Sequence, residues 1–454
     1  MRALLRSFLS HSPLLFVFLS LLFSAPLAWS QDVLSMKQRS VVIDNIIAQR
    51  FDTVLPHIMR RENIDMWVIM SREYNEDPVL KTMLPSTWLS ARRHTMLVIY
   101  DQGEGKPLER LAVARYAVAN SFEKAWDKEE QPNQFKALAN IIKQRNPSKI
   151  AINTSDAFAL ADGMTSTEKA LFLSALPKAY KNRVVSGEKL SIGWLETRSD
   201  MEMEFYPILT RIGHNLIATA FSNAVITPGV TTTDDVVWWL RDKTNELGLK
   251  NWFHPTVSIQ RADSEAFDQI KAFSKRPEQN IIQPGDLIHV DFGITYLRLN
   301  TDQQQHAYIL KPGETDAPKY LKDALTKGNR LQDILTTNFQ KGRSGNEILK
   351  RSRAQAIEEN IKPTIYTHPL GLHGHAAGPT IGMWDAQEGI PIKGDYPMYE
   401  NTVYSVELNA AVMIEDWGKE VRIMLEEDAF FDGSSVSYLD GRQTEFHLIS
   451  SEAK

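Results

Sequence analysis

Cysteine is absent from all 454 residues, so no disulfide can brace the fold and no thiol can act as nucleophile or metal ligand. An excess of one charge is missing too. The 51 Lys and Arg against 56 Asp and Glu leave a formal net charge of -5, small for this length and of the wrong sign for tracking a nucleic-acid backbone. Neither an internal repeat nor a low-complexity tract is present. Long apolar runs are scarce: the one that starts at Pro13 is short of a bilayer span and is interrupted by Ser20, Ser24 and Pro26.

What remains, 43% hydrophobic and 24% charged residues, is the composition of a soluble globular chain long enough for two domains and one large core. At the N-terminus, Arg2 and Arg6 precede the apolar run, and Ala28 and Ser30 flank Trp29. That order of charged, apolar and small residues reads as a secretory signal peptide over residues 1–30, cleaved after Ser30; an uncleaved membrane anchor is the competing reading. Export combined with zero cysteines fits a bacterial periplasmic protein, with secretion as the wider category.

Helical spacing over residues 39–61, a buried strand at Ile64–Met70, a further strand at Thr95–Tyr100, and a helix–strand repeat at 135–153 predict a small α/β domain over 31–190. A boundary falls where the pattern weakens near 190. The second part, 191–454, opens on helices at 201–224 and 231–247. After residue 280 it turns to strand-like segments at 287–295, 307–310, 402–413 and 421–431. Helices first and sheet later predicts an α+β fold with a mostly antiparallel sheet.

The chemistry gathers in five side chains: Asp291, Asp302, His375, Glu407 and Glu427. Strand alternation places Leu287, His289 and Asp291 on one face. A turn at Tyr296-Leu297 would set Asp291 directly opposite Asp302, about 5 Å apart, close enough to bridge metals spaced about 3.5–4 Å apart. Those turn residues suit a tight hairpin badly, and two solvated loop acids are the alternative. On the last long strand Glu427 shares its face with Val421, Ile423, Leu425, Ala429 and Phe431, whereas Glu426 lies with Arg422, Met424 and Asp428. A carboxylate on an apolar face costs several kcal/mol unless it is paired or ligating. Parity therefore selects Glu427 over Glu426; a buried Glu paired with a nearby Arg is the competing reading. His368, His373 and His375 fall within eight residues among glycines, with His375 taken as the ligand and His373 as its alternative. His254 and His306 read as ordinary histidines, and Trp384 and Arg422 as pocket walls or packing. One nitrogen and four carboxylates describe a hard dinuclear site for manganese, iron, cobalt or zinc. Two divalent ions would offset the four negative charges, lower the pKa of a bridging water and polarise a carbonyl, which is hydrolytic chemistry.

Val290-Asp-Phe-Gly293 with a second Asp eleven residues on, Gly374-His-Ala-Ala-Gly378, Val406-Glu407, and Glu427 preceded by Arg422 resemble the pita-bread metallopeptidases. That family includes methionine aminopeptidase, Xaa-Pro aminopeptidase and prolidase, and the resemblance covers about residues 195–445. Upstream, Ile64-Asp-Met-Trp and Glu76-Asp-Pro resemble the N-terminal domain of the Xaa-Pro aminopeptidase and creatinase branch. The resemblance implies two divalent ions, manganese foremost, with cobalt, iron or zinc as alternatives. Asp291, Asp302 and Glu427 would bind one ion, Asp302 and Glu427 bridging, and His375 and Glu407 would complete the second. It also implies Glu407 as general base and a homodimer formed through the N-terminal domain. Proline-specific members carry a histidine before the first Asp, where this chain has Phe273-Ser-Lys, and another seven residues after the metal histidine, where Gly382 stands. His368 or His373 would replace one of them as a catalytic contact. The expected activity is that of an exported aminopeptidase cutting the N-terminal bond of small peptides, Xaa-Pro among them, by a metal-bridging hydroxide. The alternative is a pita-bread homologue acting as a binding module or on a non-peptide amide.

Overall fold

Apolar runs buried on both faces set the first sheet. In a computed structural model, which describes residues 33–262 and 280–452, strand β1 (Met66–Arg72) has Trp67, Val68 and Ile69 fully buried. The signal segment 1–30 and the Phe273-Ser-Lys position lie outside the described residues. β1 pairs antiparallel with β2 (His94–Tyr100) and parallel with β5 (Ile150–Ile152). β3 (Glu109–Val113), β4 (Glu123–Lys124) and β6 (Val184–Ser186) extend it to the order β4-β3-β2-β1-β5-β6. The expected helix over 39–61 is two helices, Met36–Asp52 and Val54–Arg61, divided at Thr53. Ser35 starts the first with a capping box that satisfies two otherwise unpaired donors.

Capping boxes at Ser199 and Thr232 also start the helices Asp200–Ala220 and Thr233–Glu246. Beyond them lie β7 (Lys250–Asn251), β8 (Thr256–Gln260), β9 (Leu287–Phe292), β10 (Ile294–Tyr296), β11 (Leu299–Asn300) and β12 (Gln303–Ile309). β13 (Lys362–Ile365), β14 (His368–Leu370), β15 (Thr402–Ile414) and β16 (Lys419–Phe431) follow. The larger sheet runs β13-β15-β16-β12-β9-β8, with β14 beside β15, and every one of these pairs is antiparallel. Helices and strands mix more than expected after residue 280, because Lys319–Thr337 and Gly345–Glu358 are both helical. Their apolar faces and the alternate strand positions Val406, Leu408, Ile423 and Leu425 form one core. That core takes one face of β15 and β16 and leaves the other to polar residues. The fold is α+β, Leu34–Lys454 form one compact unit, and no helix among the described residues is long and apolar enough to cross a membrane.

The β9–β12 connection decides where the acids stand. Leu297 and Arg298 occupy a two-residue turn with φ of 52° and 68°, between the pairs Tyr296–Leu299 and Thr295–Asn300. Neither residue suits that conformation. The turn is held from outside: the Arg298 guanidinium donates to the carbonyls of Leu84 at 2.6 Å and Pro85 at 3.2 Å. It falls one residue later than the sequence reading placed it, so Asp291 faces Gln304, not Asp302. A shift of two in pairing preserves the face, and Asp302 stays on the Asp291 side.

Close packing of the helix Lys319–Thr337 on β16 depends on Gly328, where an added Cβ would lie 2.7 Å from Ile423 Cγ2 and 3.0 Å from Leu425 Cδ1. Gly328→Val is expected to lower stability by about 1–3 kcal/mol, read as a shift of the urea midpoint at unchanged m. An unchanged midpoint would show that helix and sheet separate there without penalty.

Candidate metal centre

Cross-strand register lines up a row of side chains on the polar face. Glu407 of β15 pairs with Glu426 of β16, Glu426 with Gln304 of β12, and Gln304 with Asp291 of β9. Asp302, just ahead of β12, is fixed by its backbone N–H, which donates to Asp428 Oδ1 at 3.0 Å. His368 begins β14 opposite Ser405. Its Nε2 lies 3.6 Å from Asp302 Oδ2, 3.7 Å from Glu426 Oε1 and 3.9 Å from Glu407 Oε2. Three overlapping sets each present atoms within 4.8 Å of one another: Asp291, Asp302 and Glu426; His368, Glu407 and Glu426; and Asp302, His368 and His375.

Electrostatics in this row are unfavourable for the bare protein. Burial, together with Asp291 and Glu407, pushes the Asp302 carboxyl well above its ordinary range. Burial and Glu426 do the same to Glu407, and burial and Asp302 to Glu426. Burial alone raises Asp291 to about 7. His368 cannot compensate, since burial and the neighbouring His375 lower it to about 3. Asp291 Oδ1, Asp302 Oδ1 and His368 Nε2 are buried with no hydrogen-bond partner, although buried polar atoms are normally satisfied. Acids that repel, a neutral imidazole and unused lone pairs fit divalent cations and little else.

Five of the seven expected site positions, Asp291, Asp302, His368, His375 and Glu407, line one cavity of about 540 Å³ together with Glu426. Glu427 is not brought there. Its Oε2 is 2.7 Å from His214 Nε2, its Oε1 accepts from the Gln443 backbone at 2.8 Å, and His214 Nδ1 lies 2.9 Å from Asp440. The carboxylate on the apolar face is thus the paired one, with a histidine as partner where the sequence suggested an arginine. Glu426, on the polar face, takes the expected place of Glu427. His375 is exposed and stacks edge-on against His368 with centroids 4.7 Å apart, so it stands beside the acid cluster while His368 points among the acids. His373 does not line the cavity, and the nearest charges acting on its ring are Arg198 and Lys81. Trp384 does line it; Arg422 instead donates to Asn409 Oδ1 at 3.0 Å. His306 is buried beneath the row, accepting from the Met424 backbone, and His254 sits against Trp238 and Arg241. Sequence reasoning missed Glu426, Gln304 and Asp428. The register of β16 against β15 and β12 is the signal that finds them.

The family model for metallopeptidase family M24 matches residues 209–428. Among solved structures, an X-Pro aminopeptidase from Thermotoga maritima superposes with a TM-score of 0.60 at 16% identity, covering 87% of this chain and 99% of that one. A dipeptidase from Mycobacterium ulcerans gives 0.60 at 14% identity, covering 90% and 99%. An Xaa-Pro dipeptidase from Bacillus anthracis gives 0.56 at 14% identity, covering 91% and 100%. No curated protein matches the chain. At such identities the structural likeness establishes the fold, which is the pita-bread fold with its smaller preceding α/β part.

His214 supplies a pH-dependent test of the pairing with Glu427. Burial would lower its pKa, but Glu427 and Asp440 outweigh burial and raise it to about 10. Against an unfolded value of about 6.5, its stabilising contribution is complete below that pH and is lost as pH rises toward about 10. The stability difference between wild type and His214→Gln, followed by urea unfolding from pH 6 to 10, is expected to shrink across that window. A difference that stays constant would show that His214 is not held protonated by these acids.

Proposed function

Since residues 209–428 belong to metallopeptidase family M24, we propose that this protein is an exported dinuclear-metal aminopeptidase that hydrolyses the N-terminal bond of small peptides, Xaa-Pro bonds among them. The observation that carries this reading is the cluster itself: two buried acids, two half-buried acids and a neutral histidine, with three unpaired polar atoms, around one cavity. Asp291, Asp302 and Glu426 would hold one ion, and Asp302, His368, Glu407 and Glu426 the other. Asp302 and Glu426 belong to both sets. A donor set this rich in carboxylate suits manganese, with cobalt, iron and zinc as alternatives. When bound, the ions supply Lewis acidity and a water of lowered pKa.

The chain's own groups do the rest. Glu407 donates nothing while ionised and takes the proton of the attacking water as general base. His375 stands seven residues after His368, the interval that the proline-specific members keep, and it lines the cavity where a substrate carbonyl would lie. Phe158, Leu160, Trp252 and Phe253 wall the same cavity. Excluding water there strengthens every charge interaction inside it. The charged, apolar and small order of residues 1–30 supports export, to the periplasm or as a secreted protein.

Metal analysis of the purified mature protein is expected to find two divalent ions per chain. Chelation should abolish hydrolysis of short Xaa-Pro peptides, and manganese or cobalt should restore it. Glu407→Gln is expected to lower kcat by about 10²-fold or more, and Glu426→Gln, but not Glu427→Gln, to reduce bound metal. A protein that holds two ions yet cleaves no peptide offered would refute the peptidase reading; loss of metal in Glu427→Gln alone would refute the ligand assignment.

A further inference from the structure

Gln304 is the one uncharged side chain in the row Glu407–Glu426–Gln304–Asp291. Its amide donates to two acids of the row, from Nε2 to Glu407 Oε1 at 2.5 Å and to Glu426 Oε2 at 2.7 Å. Its Oε1 lies 2.8 Å from His289 Nε2. We propose that Gln304, oriented by His289, is a positioning residue that spaces Glu407 and Glu426 for metal binding. The inference rests on the metal reading above and adds residues to it that bind no ion themselves.

An amide can present either end, and the choice matters here. Turned over, Gln304 would aim its oxygen at two carboxylates. His289 prevents this. Its Nε2, 2.8 Å from Gln304 Oε1, faces the oxygen end of the amide as donor, which leaves the NH2 end for Glu407 and Glu426. The ring stacks at 5.1 Å on His306, whose own tautomer is set by the backbone: Nε2 accepts from Met424 N–H at 3.0 Å and Nδ1 lies 3.2 Å from the Ile288 carbonyl. The orientation of Gln304 is therefore fixed by a hydrogen bond to His289 and by the His306 ring packed behind it.

Neutrality is the useful property. A fifth carboxylate at this position would add to the repulsion, and a lysine or arginine would compete with the cations for the same acids. A neutral double donor fixes one oxygen of each acid and leaves the negative charge for the ions. Glu407 belongs only to the set it forms with His368 and Glu426, while Glu426 belongs also to the set with Asp291 and Asp302. Loss of Gln304 should consequently weaken the His368-side ion more than the other.

Manganese titration calorimetry on the metal-stripped full-length mature chain tests this, with circular dichroism confirming that each variant is folded. Gln304→Leu is expected to lower affinity at the weakened step by about 10–100-fold. His289→Phe should lose affinity in the same direction, His289→Gln, which restores an amide donor, should recover most of it, and the double variant Gln304→Leu/His289→Phe should bind no worse than Gln304→Leu alone. Wild-type affinity in Gln304→Leu, or losses that multiply in the double variant, would overturn the inference while leaving the metal reading intact. If Gln304→Leu does not fold, the contrast between His289→Phe and His289→Gln decides the matter. A wild-type protein that binds no divalent ion overturns both.

Discussion

Like charge held out of water is the constraint around which the second half of this chain is arranged. Asp291, Asp302, Glu407 and Glu426 are placed by backbone hydrogen bonds of four adjacent chain segments, so they cannot drift apart to relieve repulsion. A sheet is suited to this because register, once set by many ladder bonds, holds side chains at spacings that a loop could not maintain against several kcal/mol. The price appears as carboxyls that prefer their protons and atoms without partners. Both are discharged together by cations.

Much of the fold was legible because it rests on periodicity. The strands near 66–72, 94–100, 402–414 and 419–431 are continuous apolar or alternating segments, and the helices at 200–220 and 233–246 carry their own capping residues. The helices at 319–337 and 345–358 lie between Gly- and Pro-rich stretches that hide them, although Leu321, Leu325, Leu331, Leu335, Ile348 and Leu349 on them belong to the core under the sheet. Turn position was the other weak point. Leu297-Arg298 does not look like a hairpin turn, since what stabilises it is a guanidinium reaching carbonyls more than two hundred residues earlier, a contact that no local pattern reveals.

At the site, residue types were readable and their faces were not. Choosing Glu427 over Glu426 assumed that a carboxylate among apolar neighbours must be the ligand. The structure shows the converse: the apolar face is the one under the helices, where Glu427 has His214 as its partner, and the mixed face is the one open to chemistry. The histidines followed the same logic. His368 is embedded between the acids because β14 pairs with β15, whereas His375, in the glycine-bounded turn beyond, reaches the cavity from its edge. Register between strands distant in sequence decides both cases, and one sequence does not encode it visibly.

Phe158, Ala159 and Leu160 belong to the N-terminal half, yet they line the same cavity as the acids. The first sheet is thus not a passenger to the second. Its short turn at Ala159–Ala161 walls one flank of the cavity. Severing the chain between its halves would remove that wall and flood the flank with solvent, leaving an open trough over the acids.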